Sequence, residues 1–352
     1  MSTLADVAER ANVSITTVSR VLRRDPSLAV PPETAERIWQ AAKDLQYKIK
    51  SKSSVSRRPT RIGVIRFMTS EDDEVQNPYF SEIREGIVQE CARHQISVHL
   101  FADADPQLIE LDGVMVIGDN PQFRKDYGTK LEHVAFVDNC PDLDRYDSVI
   151  VNYAQSTWAM LDHLRQKYDR IGFIGGMGYL DAQGNRQMDA RRVAFEQYMK
   201  AAKIYEPQHV RVEGWTPESG YAMMSAAISQ PKRPNAFFAA SDRLAFGAMK
   251  AVRDAGLSIP EEIAVTGFDD IEIAHYAHPA LTTIQTNPRQ MGAMAVKLLM
   301  DRLEGWDIPR QVVLTGRLIV RESCGIAPRS DGQSSPRNSS STTDPVVQPS
   351  LS

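Results

Sequence analysis

The sequence predicts an α/β protein in which a small three-helix unit at the amino end precedes a larger two-lobed body of parallel sheets. Three observations lead there. The first 45 or so residues carry only the 3.6-residue apolar period, whereas from residue 61 short apolar runs alternate with helical segments, and 352 residues exceed what one core holds. Apolar residues make up 42% of the chain and charged residues 24%, as in soluble globular proteins.

The head comes first. Thr3 can cap a helix with Asp6 three residues on, and Leu4, Val7, Ala8 and Ala11 form its buried stripe. Asn12 tolerates the left-handed conformation that ends such a helix. Ser14 then caps a second helix with Val18, Val21 and Leu22 on one face and Ile15, Thr16, Ser19 and Arg20 on the other. In "PPETAERIWQAAKDLQY" prolines open a third helix whose Ala35, Ile38, Ala42 and Leu45 complete the core. A helix with short polar side chains and one arginine can lie in a major groove, where Arg20 could fork onto guanine, although two amphipathic helices occur in many helical proteins. Ile15 has two readings, a thymine-methyl contact or a rim contact with the third helix.

Charge fits either a polyanionic partner for the head alone or a solvated surface of uneven charge. Residues 1–60 hold 11 Lys/Arg against 6 Asp/Glu, which leaves 30 against 39 for the remainder of a chain with net charge −4. Residues 48–60, "KIKSKSSVSRRPT", read as a basic tether, with Lys48, Lys50, Lys52, Arg57 and Arg58 available to phosphates.

The body follows in order. Strand candidates are 61–67, 96–101, 112–118, 133–138, 170–176, 209–214, 235–240 and 263–268. Helical candidates are 79–93, 154–167, 188–202, 217–229, 242–255 and 288–303. "ADADPQLIEL" barely leaves room for a helix. Two similar lobes with a ligand crevice between them accommodate this many units. Residues 327–352 are dominated by Ser, Pro, Thr and Asn and read as a disordered tail.

Other classes fit poorly. Cys91, Cys140 and Cys324 are far apart, odd in number and form no CxxC pair, which argues against a disulfide framework or a zinc site and for a reducing cytoplasm. Asp6 and Glu9 stand where a secretory signal is basic or apolar, and no membrane-length apolar run appears. "GGMG" at 175–178 lacks the GxGxxG order, and His275 and His278 fall in a loop running into a strand. No catalytic constellation, cofactor or metal is specified, so a non-enzyme is expected.

"TLADVAERANVSITTVSRVL" with "VPPETAERIWQAAKDLQY" resembles the DNA-binding domain of the LacI/GalR family of repressors. The resemblance continues through "NPYFSEIREGI", "RIGFIGG", "AFFAASDRLAFGAMKAVRDAGLSIPEEIAVTGFDD", "PALTTIQT" and "LIVRES" to about residue 326. It implies a helix-turn-helix domain at 1–48, a hinge at 49–60, and a periplasmic-binding-protein-like body for effector binding and dimerisation at 61–326. It further implies that Ser14, Thr17, Ser19 and Arg20 contact operator DNA, that Ile15 and Thr16 select its sequence, and that Thr3, Leu4, Thr34 and Tyr47 touch the backbone. The family's hinge carries Pro-Asn and a leucine wedge. Here Ile49 and Lys50 replace the former, Ser56 falls near the wedge, and only Val55 is apolar enough to substitute.

For the crevice, the resemblance implies a small sugar effector gripped by Asp269 and Arg191. Tyr79, Phe80, Asn152, Trp215, Ser241, Asp242 and Thr286 stand at effector-contacting or crevice-lining positions. Such sites pair charged or amide groups with aromatic platforms, because hydroxyls need bidentate partners and sugar faces stack on rings. Alternatives remain: Asp269, beside Asp270, could cap a helix; a one-residue slip exchanges Arg191 with Arg192; Trp215 and Phe80 could be core aromatics. "YDxV", the spacing of Arg191 to Phe195 and the shortened segment after the second strand resemble the galactoside-responsive members of the family, implying a galactoside effector. The partners expected are double-stranded operator DNA, the sugar and a second copy of the chain. The competing reading is a sugar-binding protein, cytoplasmic or exported, without a DNA function.

Overall fold

The structure, a computed structural model, describes residues 4–22, 30–45, 61–66, 77–118, 120–128, 130–178 and 185–328. The expectations for Thr3, Tyr47, the basic tether with Val55, and nearly all of the tail lie outside these residues.

In the head, α1 (Leu4–Ala11), α2 (Ile15–Leu22) and α3 (Pro32–Asp44) enclose one small core. Val7, Ala8 and Ala11 meet Val18, Val21, Leu22, Ile38, Ala41 and Ala42 there, with Ala35 and Leu45 at its margin. The turn after α1 is made by Asn12 at φ 52°, a left-handed conformation that asparagine tolerates better than most residues. Pro32 opens α3, where its missing N–H would have had no helical partner.

The first sheet of the body contains β1 (Arg61–Ile65), β2 (Ser97–Phe101), β3 (Gly113–Ile117), β4 (Val134–Val137), β5 (Asp147–Val151) and, from far later in the chain, β11 (Gln311–Leu314). Its order is β11-β5-β4-β3-β1-β2, parallel throughout. Helices α4 (Pro78–Arg93), α5 (Pro121–Tyr127) and α11 (Pro288–Leu303) belong with it. The second sheet, β6 (Ile171–Gly176), β7 (Val210–Glu213), β8 (Ala236–Ala239) and β9 (Ala264–Thr266), runs β7-β6-β8-β9, also parallel. Helices α6 (Tyr153–Leu164), α7 (Ala190–Ala201), α8 (Pro217–Ile228) and α9 (Asp242–Asp254) accompany it. A short α10 (Ile273–Tyr276) precedes β10 (Thr283–Gln285), which pairs antiparallel with β12 (Arg317–Ile319).

The eight expected strands are present, each trimmed by one to three residues, and the six expected helices match closely. Five strands or helices were not anticipated, among them α10, which holds His275 where the sequence reads as a loop. Strand β5 begins with Asp147 and Ser148, polar residues that read as loop. Both are fully buried, and the Asp147 carboxylate accepts from Arg302 Nε at 3.0 Å and the Arg310 amide at 2.7 Å. Strands β11 and β12 are only four and three residues long, and α5 seven, too short for periodicity to register. The cramped segment after β2 folds as a 3₁₀ turn, Pro106–Glu110, with Asp105 accepting from the Gln107 amide.

This topology makes the chain pass between the two sheets three times, after β5 at Asn152, after β10 at Thr286 and Asn287, and between β11 and β12. Parallel strands expose their carboxyl ends at one edge, and an α/β crevice forms there. Asp138 follows β4, Met177 follows β6, Ser241 lies just beyond β8 and Phe268–Asp269 just beyond β9.

Candidate functional site

In the head, Ser14 Oγ accepts from the Thr17 amide at 3.1 Å and lies 2.8 Å from Thr17 Oγ1. Two expected DNA contacts therefore also shape the helix start that would present them. Ile15 is 52% exposed and outside the head's core. Arg20 is half-buried on the same helix, whose backbone also carries Thr16 and Ser19. Leu4 opens α1, and Thr34 sits in the first turn of α3 with its amide donating to Pro31 O at 2.9 Å.

In the crevice the geometry centres on Arg191. Its Nε and Nη2 donate to the two carboxylate oxygens of Asp189 at 2.9 and 2.7 Å, while Asp189 also caps α7 by accepting from the Arg191 amide. Three rings enclose the guanidinium: Tyr153 and Trp215, each with its centroid at 4.8 Å, and Phe268 at 5.3 Å. Burial alone would lower the Arg191 pKa and raise that of Asp189. The ion pair outweighs it in both, holding Arg191 well above its usual value and Asp189 below. Arg192 instead pairs along its own helix with Glu196 at 2.9 Å, which separates the two adjacent arginines.

Asp138, in a left-handed conformation at φ 74°, joins this centre to the first sheet. Its Oδ1 accepts from Tyr79 Oη at 2.6 Å and Tyr153 Oη at 2.5 Å. Burial first, and Asp138 second, push both phenols well above the usual tyrosine range, so they remain donors. Phe80 packs edge-on against Tyr79 at 5.1 Å.

Asp269 caps no helix. Its backbone is clamped at φ 111° by its amide donating to Ile284 O at 2.8 Å, and by Thr286 Oγ1 donating to its carbonyl at 3.3 Å. Among the described residues no hydrogen bond reaches its carboxyl. Burial raises its pKa well above the carboxylate range, with Arg191 opposing and Asp242, Asp138 and Asp189 adding to the rise. Neighbouring Asp270 is taken up by Arg321 at 2.7 Å and Gln285 at 3.0 Å.

The remaining expected crevice residues have other work. Asn152 caps α6 through the Gln155 amide, and Ser241 caps α9 through the Leu244 amide. Trp215 is no bare platform: its indole N–H donates to Met177 O at 2.9 Å and the ring rests against Gly176, where a Cβ would come within 2.1 Å. The "GGMG" run thus makes room for an aromatic ring. Asp242 is fully buried instead of lining the crevice; its oxygens accept from Thr283 Oγ1 at 2.6 Å and the Ile271 amide at 2.9 Å. It fastens the Asp269 loop from behind.

Burial pushes the Asp242 pKa up to about 7, against 3.8 unperturbed. Between those values the folded chain holds a proton that the unfolded chain has lost. Stability from this group therefore falls as pH rises through that window and levels off above it, a total of about 4 kcal/mol. Asp242→Asn keeps one acceptor for Ile271 and one donor for Thr283. It is expected to flatten this dependence, with the gain in Tm over the parent largest at pH 8 and smaller at pH 5.

Sequence reasoning missed Asp138, Tyr153, Asp189 and Phe268. Only Asp189 had a local signal, an aspartate directly before a helix.

Residues 3–49 match bacterial regulatory proteins of the lacI family, and residues 161–324 match the periplasmic binding protein-like domain. The HTH-type transcriptional repressor MelR of Bacillus subtilis (strain 168) is 40% identical over 342 residues, covering 92% of this chain and 98% of that protein. The chain belongs to the lacI family of bacterial regulatory proteins. The HTH-type transcriptional regulator GalR of Lacticaseibacillus casei is 33% identical, with 92% and 99% covered. Among solved structures, the transcriptional regulator CelR–cellobiose complex has a TM-score of 0.63 at 25% identity, covering 92% of this chain and all of that one. The lac repressor dimer bound to operator and the anti-inducer ONPF shares the fold, with TM-score 0.63, 23% identity and 92% and 99% covered. As a lacI-family member, the chain is a DNA-binding transcriptional regulator with a helix-turn-helix head and a periplasmic-binding-protein-like body. No described helix is long and apolar enough to cross a membrane.

Proposed function

We propose that this regulator is a repressor whose hold on a palindromic operator is controlled by a small sugar, a galactoside, bound between the lobes. The observation that carries the effector reading is Arg191, paired to Asp189 inside a box of Tyr153, Trp215 and Phe268, with the Asp269 carboxyl nearby. Hydroxyls need such fixed polar partners beside apolar ring surface. The relative solved with cellobiose supports a sugar effector, and the relative named a repressor supports repression. Ser14, Ile15, Thr16, Thr17, Ser19 and Arg20 read bases or phosphates in the major groove, and Leu4 and Thr34 approach the backbone. Two heads read two half-sites one helical turn apart, which calls for a homodimer. A coupling of about 1–3 kcal/mol between crevice and heads suffices to change operator occupancy.

Deleting residues 1–60 tests the division of labour. The shortened chain is expected to keep its sugar-dependent rise in Tm, about 2.7 kcal/mol of stabilisation at one hundred times the dissociation constant, and to lose duplex binding. Retained duplex binding would contradict the proposal.

A further inference from the structure

Among the described side chains of the head, Ile15 is the one large apolar group left exposed, while Val7, Val18, Val21, Leu22 and Ile38 are buried and Val13, Val30, Trp39 and Leu45 pack against them. A lone exposed apolar residue is ordinary on a protein surface. Its place here is not ordinary: Ile15 is the first residue of α2, and a helix-turn-helix turns that end of its second helix towards base edges. The polar groups beside it are already engaged. Ser14 Oγ accepts from the Thr17 amide and shares a hydrogen bond with Thr17 Oγ1, so the two hydroxyls keep one hydrogen between them for an outside acceptor. One phosphate oxygen would take it.

An aliphatic side chain at a base edge distinguishes the four bases by what it covers. Over a purine it would strip water from N7 and from the O6 or N6 group and return no hydrogen bond, and over cytosine it would do the same to N4. Thymine alone presents an apolar group in the major groove, the 5-methyl. No acidic residue stands in the first turn of α2 to accept from the amino groups of cytosine or adenine instead. We infer that Ile15 reads a thymine methyl, so that each operator half-site carries a thymine facing the start of α2 and is recognised there by apolar contact. This rests on the reading above that α2 enters the major groove.

Uracil differs from thymine only in lacking that methyl and keeps O4 in place. The full chain selects its tightest palindromic duplex from a randomised pool, each thymine is replaced in turn by deoxyuridine in both half-sites, and the duplexes are titrated by anisotropy. At one position the replacement is expected to weaken binding about fourfold for each half-site, about fifteenfold in all, the loss of one buried methyl per head. In Ile15→Ala the thymine-to-uracil ratio at that position is expected to fall towards one, and in Ile15→Val to be kept in part, with Tm unchanged in both because the side chain lies outside the core. No sensitive thymine with the parent chain, or an undiminished ratio in Ile15→Ala, would overturn the contact and leave groove reading by α2 standing. Equal affinity of the parent chain for every duplex would instead overturn that reading.

Discussion

Replacing Arg20 with alanine is expected to weaken operator binding by about 1–3 kcal/mol, roughly fivefold to 150-fold, and to relax discrimination at one base pair in each half-site. A guanidinium forked onto a guanine edge loses sequence information when truncated, whereas a phosphate contact loses affinity on every sequence alike. The two outcomes are separable by anisotropy titrations on the operator and on duplexes substituted at single positions, each repeated at several salt concentrations. Uniform weakening with a shallower salt slope would reassign Arg20 to the backbone. Unchanged affinity on all duplexes would remove α2 from the interface.

Arg191→Ala is expected to reduce sugar affinity by at least about a hundredfold and to destabilise the body by about 3–5 kcal/mol. Both effects follow from the crevice geometry. The variant leaves Asp189 with no counter-charge in a box of three rings, and removes the positive charge that opposes the rise in the Asp269 pKa. In the parent chain the depressed Asp189 pKa contributes stability above the usual carboxylate range, lost as pH falls through its folded value. In the variant that contribution reverses sign. The double variant Arg191→Ala/Asp189→Asn separates the two roles, because removing both charges is expected to recover most of the stability and none of the sugar affinity. Recovery of both would mean that Arg191 serves the fold alone.

The head was nearly all legible in the sequence because its determinants are local. A helical stripe, an asparagine at the turn and a serine cap lie within a dozen residues of one another, and Val7, Ala8, Ala11, Val18, Val21 and Leu22 are buried in the structure together with Ile38, Ala41 and Ala42. The alternation of the body gave its parallel sheets for the same reason. What stayed hidden depends on partners far along the chain. Asp147 looks like a loop residue until Arg302 and Arg310 arrive some 160 positions later, bringing β11 beside β5. Asp138 has meaning only where Tyr79 and Tyr153 converge on it. The resemblance carried Arg191 and Asp269 into the crevice but also carried Asp242, whose neighbours Thr283 and Ile271 turn it inward as a fastening for the Asp269 loop.

The proposed function couples the DNA-binding head to an effector in the crevice, and one measurement tests that coupling most directly. The full-length protein is titrated onto a palindromic duplex from upstream of its own coding region at low ionic strength, with and without saturating galactosides. Binding in the nanomolar range without sugar and at least fivefold weaker binding with it, the low end of a 1–3 kcal/mol coupling, is the predicted result. Affinity for the duplex that is the same with and without sugars known from calorimetry to occupy the crevice would contradict it.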